Sequence, residues 1–166
     1  MIRFARAAVV VLALACSWAV PAAAAETVYI VRHLQKEAGD DPALTPEGAA
    51  GAAALASILN DVRIQAVFST PTRRTVQTAT PLAVILGLPV TRYDPANVPA
   101  LIEAARAIPG NILVVGHSNT VPDLVAAFGG ERPPAMTEQD YGTVFLVTPG
   151  SAEVKQIILP AQRRAN

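Results

Sequence analysis

Residues 111–117 read NILVVGH, apolar without interruption from Ile112 to Val115 and ending on a glycine and a histidine. A run of that kind, with no polar alternation, suits a strand covered on both faces, as the central strands of parallel sheets are. Such a sheet needs helices on its two sides, and the chain offers them in alternation. TVYIVRH (27–33) reads as a strand and LTPEGAAGAAALASILN (44–60) as a helix, with Thr45 as cap, Pro46 in the first turn and Glu47 at the positive end of the dipole. AVFST (66–70) is a second strand, followed by a helix over 71–86 with Thr70 as its cap, Pro71 at its first position and Pro81 as a possible kink. PVTRY (89–93) is a third strand, VPALIEAARAI (98–108) a helix, and NTVPDLVAAFG (119–129) the helix after the fourth strand. GTVFLVTP (142–149) and VKQIILP (154–160) close as an antiparallel pair around Pro149-Gly150. The expected fold is an α/β three-layer sandwich with a mostly parallel central sheet and an antiparallel C-terminal strand pair. It forms one domain over residues 26–166. GGERPPAMTEQD (129–140) reads as a proline-broken loop and AQRRAN as a frayed tail.

Residues 1–25 stand apart. A basic start (MIRFAR), an apolar run (AAVVVLALACSWAV) and small residues (PAAAA) read as a secretory signal peptide cut near Ala25, the apolar core being too short to span a membrane. Two other readings exist: an N-terminal helix of the fold, or lipoprotein processing that anchors the chain through Cys16, the only cysteine. The expected destination is the bacterial periplasm or the exterior, with no stable membrane insertion after cleavage and no disulfide in the mature chain. With 13 basic and 13 acidic residues in all, loss of Arg3 and Arg6 leaves 13 − 2 = 11 basic residues, a net charge of −2. No positive field draws in nucleic acid, and 5% aromatics leave few stacking platforms.

Ligands of open α/β sheets bind beyond the carboxyl ends of the strands. There the chain places its chemistry. Arg32-His33 ends the first strand, Ser69-Thr70 the second with Arg73-Arg74 just after it, and Gly116-His117 the fourth. The chain has two histidines, and each follows an apolar run at such an end. Arginines and histidines converging from three strand ends make an anion site, to which helix N-termini after Thr70 and Ser118 would add N–H groups. Two histidines among arginines are a poor cation site, and no glycine-rich nucleotide loop is present, so neither metal nor cofactor is expected.

The RH pair after the first strand, STPTRRTVQTA after the second and VVGHSN after the fourth, in this order, resemble the histidine phosphatase superfamily, related to the cofactor-dependent phosphoglycerate mutases. The resemblance runs from Val28 to about Gly130. It implies that His33 attacks phosphorus, that a phosphohistidine forms and that water hydrolyses it. It implies that Arg32, Arg74 and a protonated His117 hold the equatorial oxygens. Arg74 stands three residues before Gln77-Thr78 as the family spacing requires, whereas Arg73 faces about 100° away on a helix. A carboxyl group after the third strand would protonate the leaving oxygen, which nominates Asp94; a turn before Pro95 explains that residue too. Glu37, Asp40, Asp41 and Glu103 are weaker candidates. Ser118 could touch phosphate or cap a helix, and Lys36 could reach a second anionic group or be plain surface. The family's RHGE or RHAE is here followed differently, by Leu34, Gln35 and Lys36. The missing glutamate and the short chain count against a phosphomutase. The reading is an exported phosphoric monoester hydrolase acting on a phosphorylated small molecule, envelope sugar or phosphoprotein; the rival is a non-catalytic anion-binding module.

Overall fold

The structure, a computed structural model, describes residues 25–160. The expected leader with Cys16 and the AQRRAN tail lie outside the described residues, save that Ala25 opens the first strand. Six strands and four helices follow in the order β1 (Ala25–Arg32), α1 (Pro46–Leu59), β2 (Ile64–Ser69), α2 (Arg73–Leu86), β3 (Val90–Arg92), α3 (Val98–Arg106), β4 (Gly110–Gly116), α4 (Val121–Ala127), β5 (Thr143–Val147) and β6 (Val154–Ile158). One sheet has the order β3-β2-β4-β1-β5-β6. Its β3–β2, β2–β4 and β4–β1 pairings are parallel, and its β1–β5 and β5–β6 pairings antiparallel. The expected α/β sandwich and its closing antiparallel strands are therefore present.

The period of two along the strands divides the core. Val28, Ile30, Ile112 and Val114 pack with Leu101 of α3 and Leu124 and Val125 of α4. Tyr29, Val31, Leu113 and Val115 face the other way, against Leu55 and Leu59 of α1 and Leu82 of α2. Strands β1 and β4 are thus apolar on both faces because each face has its own helical layer. The antiparallel β5 covers the flank of β1 opposite β4, so β1 is an inner strand and its last residue, Arg32, is buried.

Local signals set the helix starts, with two corrections. Thr45 caps α1 as expected, its side chain accepting from Gly48 N at 3.0 Å. Helix α2 begins two residues later than expected, at Arg73 with Thr72 in the cap position, because Thr70 is spent on contacts described below. Helix α4 begins at Val121 with Thr120 before it, so Ser118 is not its cap. Pro81 lies inside α2 without ending it, and Gly87 ends it in the left-handed conformation, at φ 65°.

Register then fixes the site. Arg32 lies opposite Gly116, and Ser69 opposite Val115, so three parallel strands stop at one level. The backbone continues the ladder one residue further, with His33 N donating to Gly116 O at 2.9 Å. Gly48, buried in the first turn of α1, lets that helix approach the backbone of Gln35, two residues beyond His33. A Cβ there would collide with the Gln35 carbonyl, which is backbone and cannot swing aside. Gly48→Ala is expected to destabilise the fold by about 1–3 kcal/mol, the usual cost of overpacking, read as a lower urea midpoint with unchanged m-value.

Candidate active site

The two histidine rings face each other with centroids 5.4 Å apart and planes inclined at 66°. One tetrahedral ligand can touch both. His33 is buried, and its Nδ1 lies 2.9 Å from the Leu34 carbonyl. A carbonyl only accepts, so Nδ1 carries the proton and Nε2 keeps its lone pair. The Leu34 carbonyl thereby orients the ring. Burial, and then the charges of Arg32, His117 and Arg74, outweigh the Leu34 bond and lower the His33 pKa to about 3.

His117 is held from both sides. Arg74 Nη2 donates to its Nδ1 across 3.4 Å, so the remaining ring proton sits on Nε2, which donates to Thr70 Oγ1 at 2.9 Å. Burial first, then Arg74 and Arg32, lower its pKa to about 4. The expected imidazolium is therefore not what this geometry holds: His117 is neutral, with Nε2–H committed to Thr70 and Nδ1 facing Arg74, and it can donate to an anion only with a proton added at Nδ1. Thr70 in turn meets Thr75 Oγ1 at 2.9 Å, and Thr75 also contacts the Thr70 and Thr72 carbonyls, making a buried hydroxyl cluster behind the ring.

The two site arginines are anchored through their terminal nitrogens. Arg32 is 1% exposed, and its Nη1 donates to the carbonyls of Thr137 (2.7 Å) and Asp140 (3.2 Å). Its Nη2 donates to Glu138 Oε2 (3.1 Å) and Tyr141 Oη (3.3 Å), and the guanidinium carbon stands 4.1 Å from the Tyr141 ring centroid. Arg74 reaches His117 and forms an ion pair with Asp41 at 3.7 Å. In both arginines the Nε–H is buried and has no partner. Two orphaned cationic donors beside a free imidazole lone pair suit an oxyanion, since an unpaired buried donor costs about 1–3 kcal/mol unless a ligand takes it up.

Of the residues nominated from sequence, Arg32, His33, Arg74 and His117 come together. Arg73 is exposed, and only its backbone N meets Asp41, at 2.8 Å. Asp94 gives Oδ1 to Ala96 N at 2.9 Å, an Asx turn that leads into α3. Ser118 sends its hydroxyl toward Glu138 Oε1, 3.5 Å away. Lys36 pairs its backbone with Leu44 in an isolated bridge. Gln77 and Thr78 prove to be loop anchors: Gln77 Oε1 accepts from Leu44 N (2.8 Å) and Thr78 Oγ1 from Leu34 N (3.1 Å), tying α2 to the segment after His33. Thr70, Glu138 and Tyr141 were not expected here. Tyr141, its ring centroid 6.0 Å from that of His33, directly follows the stretch 129–140 read as a proline-broken loop.

The histidine protonation has a stability consequence. Both folded pKa values lie below the ordinary 6.5, so the unfolded chain binds more protons below that pH and stability falls as pH drops toward about 4 and 3. Between pH 7 and 5, His33 alone should account for about 2 kcal/mol of lost stability. Urea melts across that range should show the loss in the wild type and a flatter profile in His33→Asn.

Comparison with known proteins agrees with this geometry. The family model for the histidine phosphatase superfamily (branch 1) matches residues 26–95. No curated protein sequence matches the chain. Among solved structures, the protein histidine phosphatase SixA complexed with tungstate is 25% identical, with a TM-score of 0.61 over 81% of this chain and 97% of that one. YhfR of Bacillus stearothermophilus is 16% identical, with a TM-score of 0.63 over 81% and 96%. A mycobacterial glucosyl-3-phosphoglycerate phosphatase with inorganic phosphate is 16% identical, with a TM-score of 0.57 over 82% and 99%. The family match spans the first two strand-end motifs, and the chain is similar in fold to phosphatases of the histidine phosphatase superfamily over most of its length.

Proposed function

We propose that this chain is an exported phosphatase that hydrolyses a phosphate monoester through a phosphohistidine on His33. The observation that carries the reading is the His33 ring: Nδ1–H is bound to the Leu34 carbonyl, and Nε2 is unprotonated beside two unpartnered arginine Nε–H donors. In the first half-reaction Nε2 attacks phosphorus, the P–O bond to the leaving group breaks, and Arg32 and Arg74 hold equatorial oxygens, joined by His117 once a proton on its Nδ1 makes that nitrogen a donor. Water then attacks phosphorus from the side the leaving group vacated, and inorganic phosphate departs. Export rests on residues 1–25, whose basic, apolar and small-residue parts follow the order of a secretory signal. In a periplasmic or secreted setting the substrate class is a phosphorylated small molecule, an envelope sugar or a phosphoprotein; relatives in fold include phosphatases of a protein phosphohistidine and of a phosphorylated glycerate glycoside.

The rival reading, an anion-binding module without turnover, gains from one observation: the nominated acid, Asp94, is engaged in a turn. Labelling separates the two. The mature protein quenched during turnover of a radioactive phosphate monoester should carry acid-labile, base-stable label, absent in His33→Ala. Tight phosphate binding with neither label nor phosphate release would establish the module, and transfer of label to a second hydroxyl a phosphomutase.

Asp94 is tested through the leaving group. An alkoxide needs a proton to depart, whereas an aryl oxide leaves without one. For Asp94 to be the acid despite its turn, Asp94→Asn must lower kcat about 10²-fold or more on alkyl phosphates while leaving aryl phosphates within a few-fold. Equal rates on both series would assign Asp94 to the turn alone.

A further inference from the structure

The segment 137–141 brings a carboxylate to the rim of the site, and we propose that this group, Glu138, is the proton acceptor in hydrolysis of the phosphohistidine. The inference rests on the phosphatase reading above. Glu138 Oε2 accepts from Arg32, the chain neighbour of His33, and Oε1 faces the hydroxyl of Ser118, the chain neighbour of His117. Its carboxylate thus bridges the residues that flank the two histidines. The side chain is 74% exposed, so it stands where water enters. Two other nominated carboxylates, Asp41 and Asp94, are committed elsewhere. Asp41 Oδ1 binds the first amide of α2 and pairs with Arg74, and Asp94 Oδ1 closes its turn.

The carboxylate does not have to move aside for phosphate. Arg32 spends all its Nη contacts on the 137–141 segment and keeps only Nε–H unpartnered. Phosphate can therefore take Nε–H while Glu138 keeps Nη2. The segment is itself braced: Thr137 N and Oγ1 both donate to Asp140 Oδ2, at 2.6 and 2.7 Å, and Tyr141 stacks on the Arg32 guanidinium. A carboxylate so placed accepts the proton that water must lose. The balance is simple. The water oxygen bonds to phosphorus, and the P–N bond breaks with its electron pair returning to His33 Nε2. The water proton passes to Glu138, from which bulk solvent removes it.

The two half-reactions separate in a rapid-quench experiment with a radioactive aryl phosphate, for which leaving-group protonation is unnecessary. Glu138→Gln keeps an oxygen for Arg32 and Ser118 but cannot take the proton. It should release the first equivalent of phenol within a few-fold of the wild-type rate. It should then stall as phosphoenzyme, with kcat lowered about 10²-fold and label on His33 raised to near one per chain. Glu138→Asp should recover part of the second step. Wild-type decay of label in Glu138→Gln would overturn the proposal. A lower KM at unchanged kcat, the mark of a carboxylate that only competes with phosphate for Arg32, would overturn it too, as would equal slowing of both half-reactions, the mark of a prop for Arg32. Absence of label from the wild type itself would instead remove the phosphatase reading, and this inference with it.

Discussion

The parallel pairing of β1 with β4 is the constraint on which the site depends. Arg32 opposite Gly116, and the further bond from His33 N to Gly116 O, set the two histidine-bearing strand ends level with each other. Parallel neighbours lie under 5 Å apart. Two side chains leaving adjacent strands at one level therefore meet without help from loops, and the 5.4 Å between ring centroids follows from the sheet rather than from local adjustment. A slip of one residue would turn Arg32 and His33 to opposite faces and break the cluster.

The surroundings convert that proximity into chemistry by excluding water and adding charge. Burial and the charges of Arg32 and Arg74 lower the pKa of both rings, which favours the neutral form that a nucleophile requires. The orientation of each ring is then decided by a single acceptor: the Leu34 carbonyl for His33 and the Thr70 hydroxyl for His117. Neither acceptor needs to touch phosphate to determine which nitrogen meets it. Gln77 and Thr78 serve one layer further out, holding the backbone of the loop that follows His33.

Much of this was legible along the chain because it is written in short-range patterns. Apolar runs named the strands, and Thr45 and Pro46 marked the start of α1. The coincidence of basic residues at three strand ends located the site. Thr70 was misread because a threonine before a proline has the chemistry of a helix cap; its actual partner, His117, is 47 residues away. Of the two readings open for Ser118, the cap fails because the next helix starts three residues later, at Val121. The contacts of Arg32 with 137–141 were invisible, since they join segments more than a hundred residues apart. A loop with prolines and polar residues carries no periodicity that would reveal its target. The protonation of His117 also escaped the sequence, because it depends on how closely Arg74 approaches and on how much water the fold leaves.

The unpartnered Nε–H groups of Arg32 and Arg74 have a bearing on how such a catalyst turns over. They are set in place by folding, not by the arrival of any particular molecule, and they recognise the phosphoryl oxygens, which substrate and product share. In the proposed phosphatase, orthophosphate leaving the site would give up the same contacts that the ester gained on entry. Product inhibition is built into an oxyanion cradle of this kind, and discrimination among esters falls to whatever surrounds the departing alcohol.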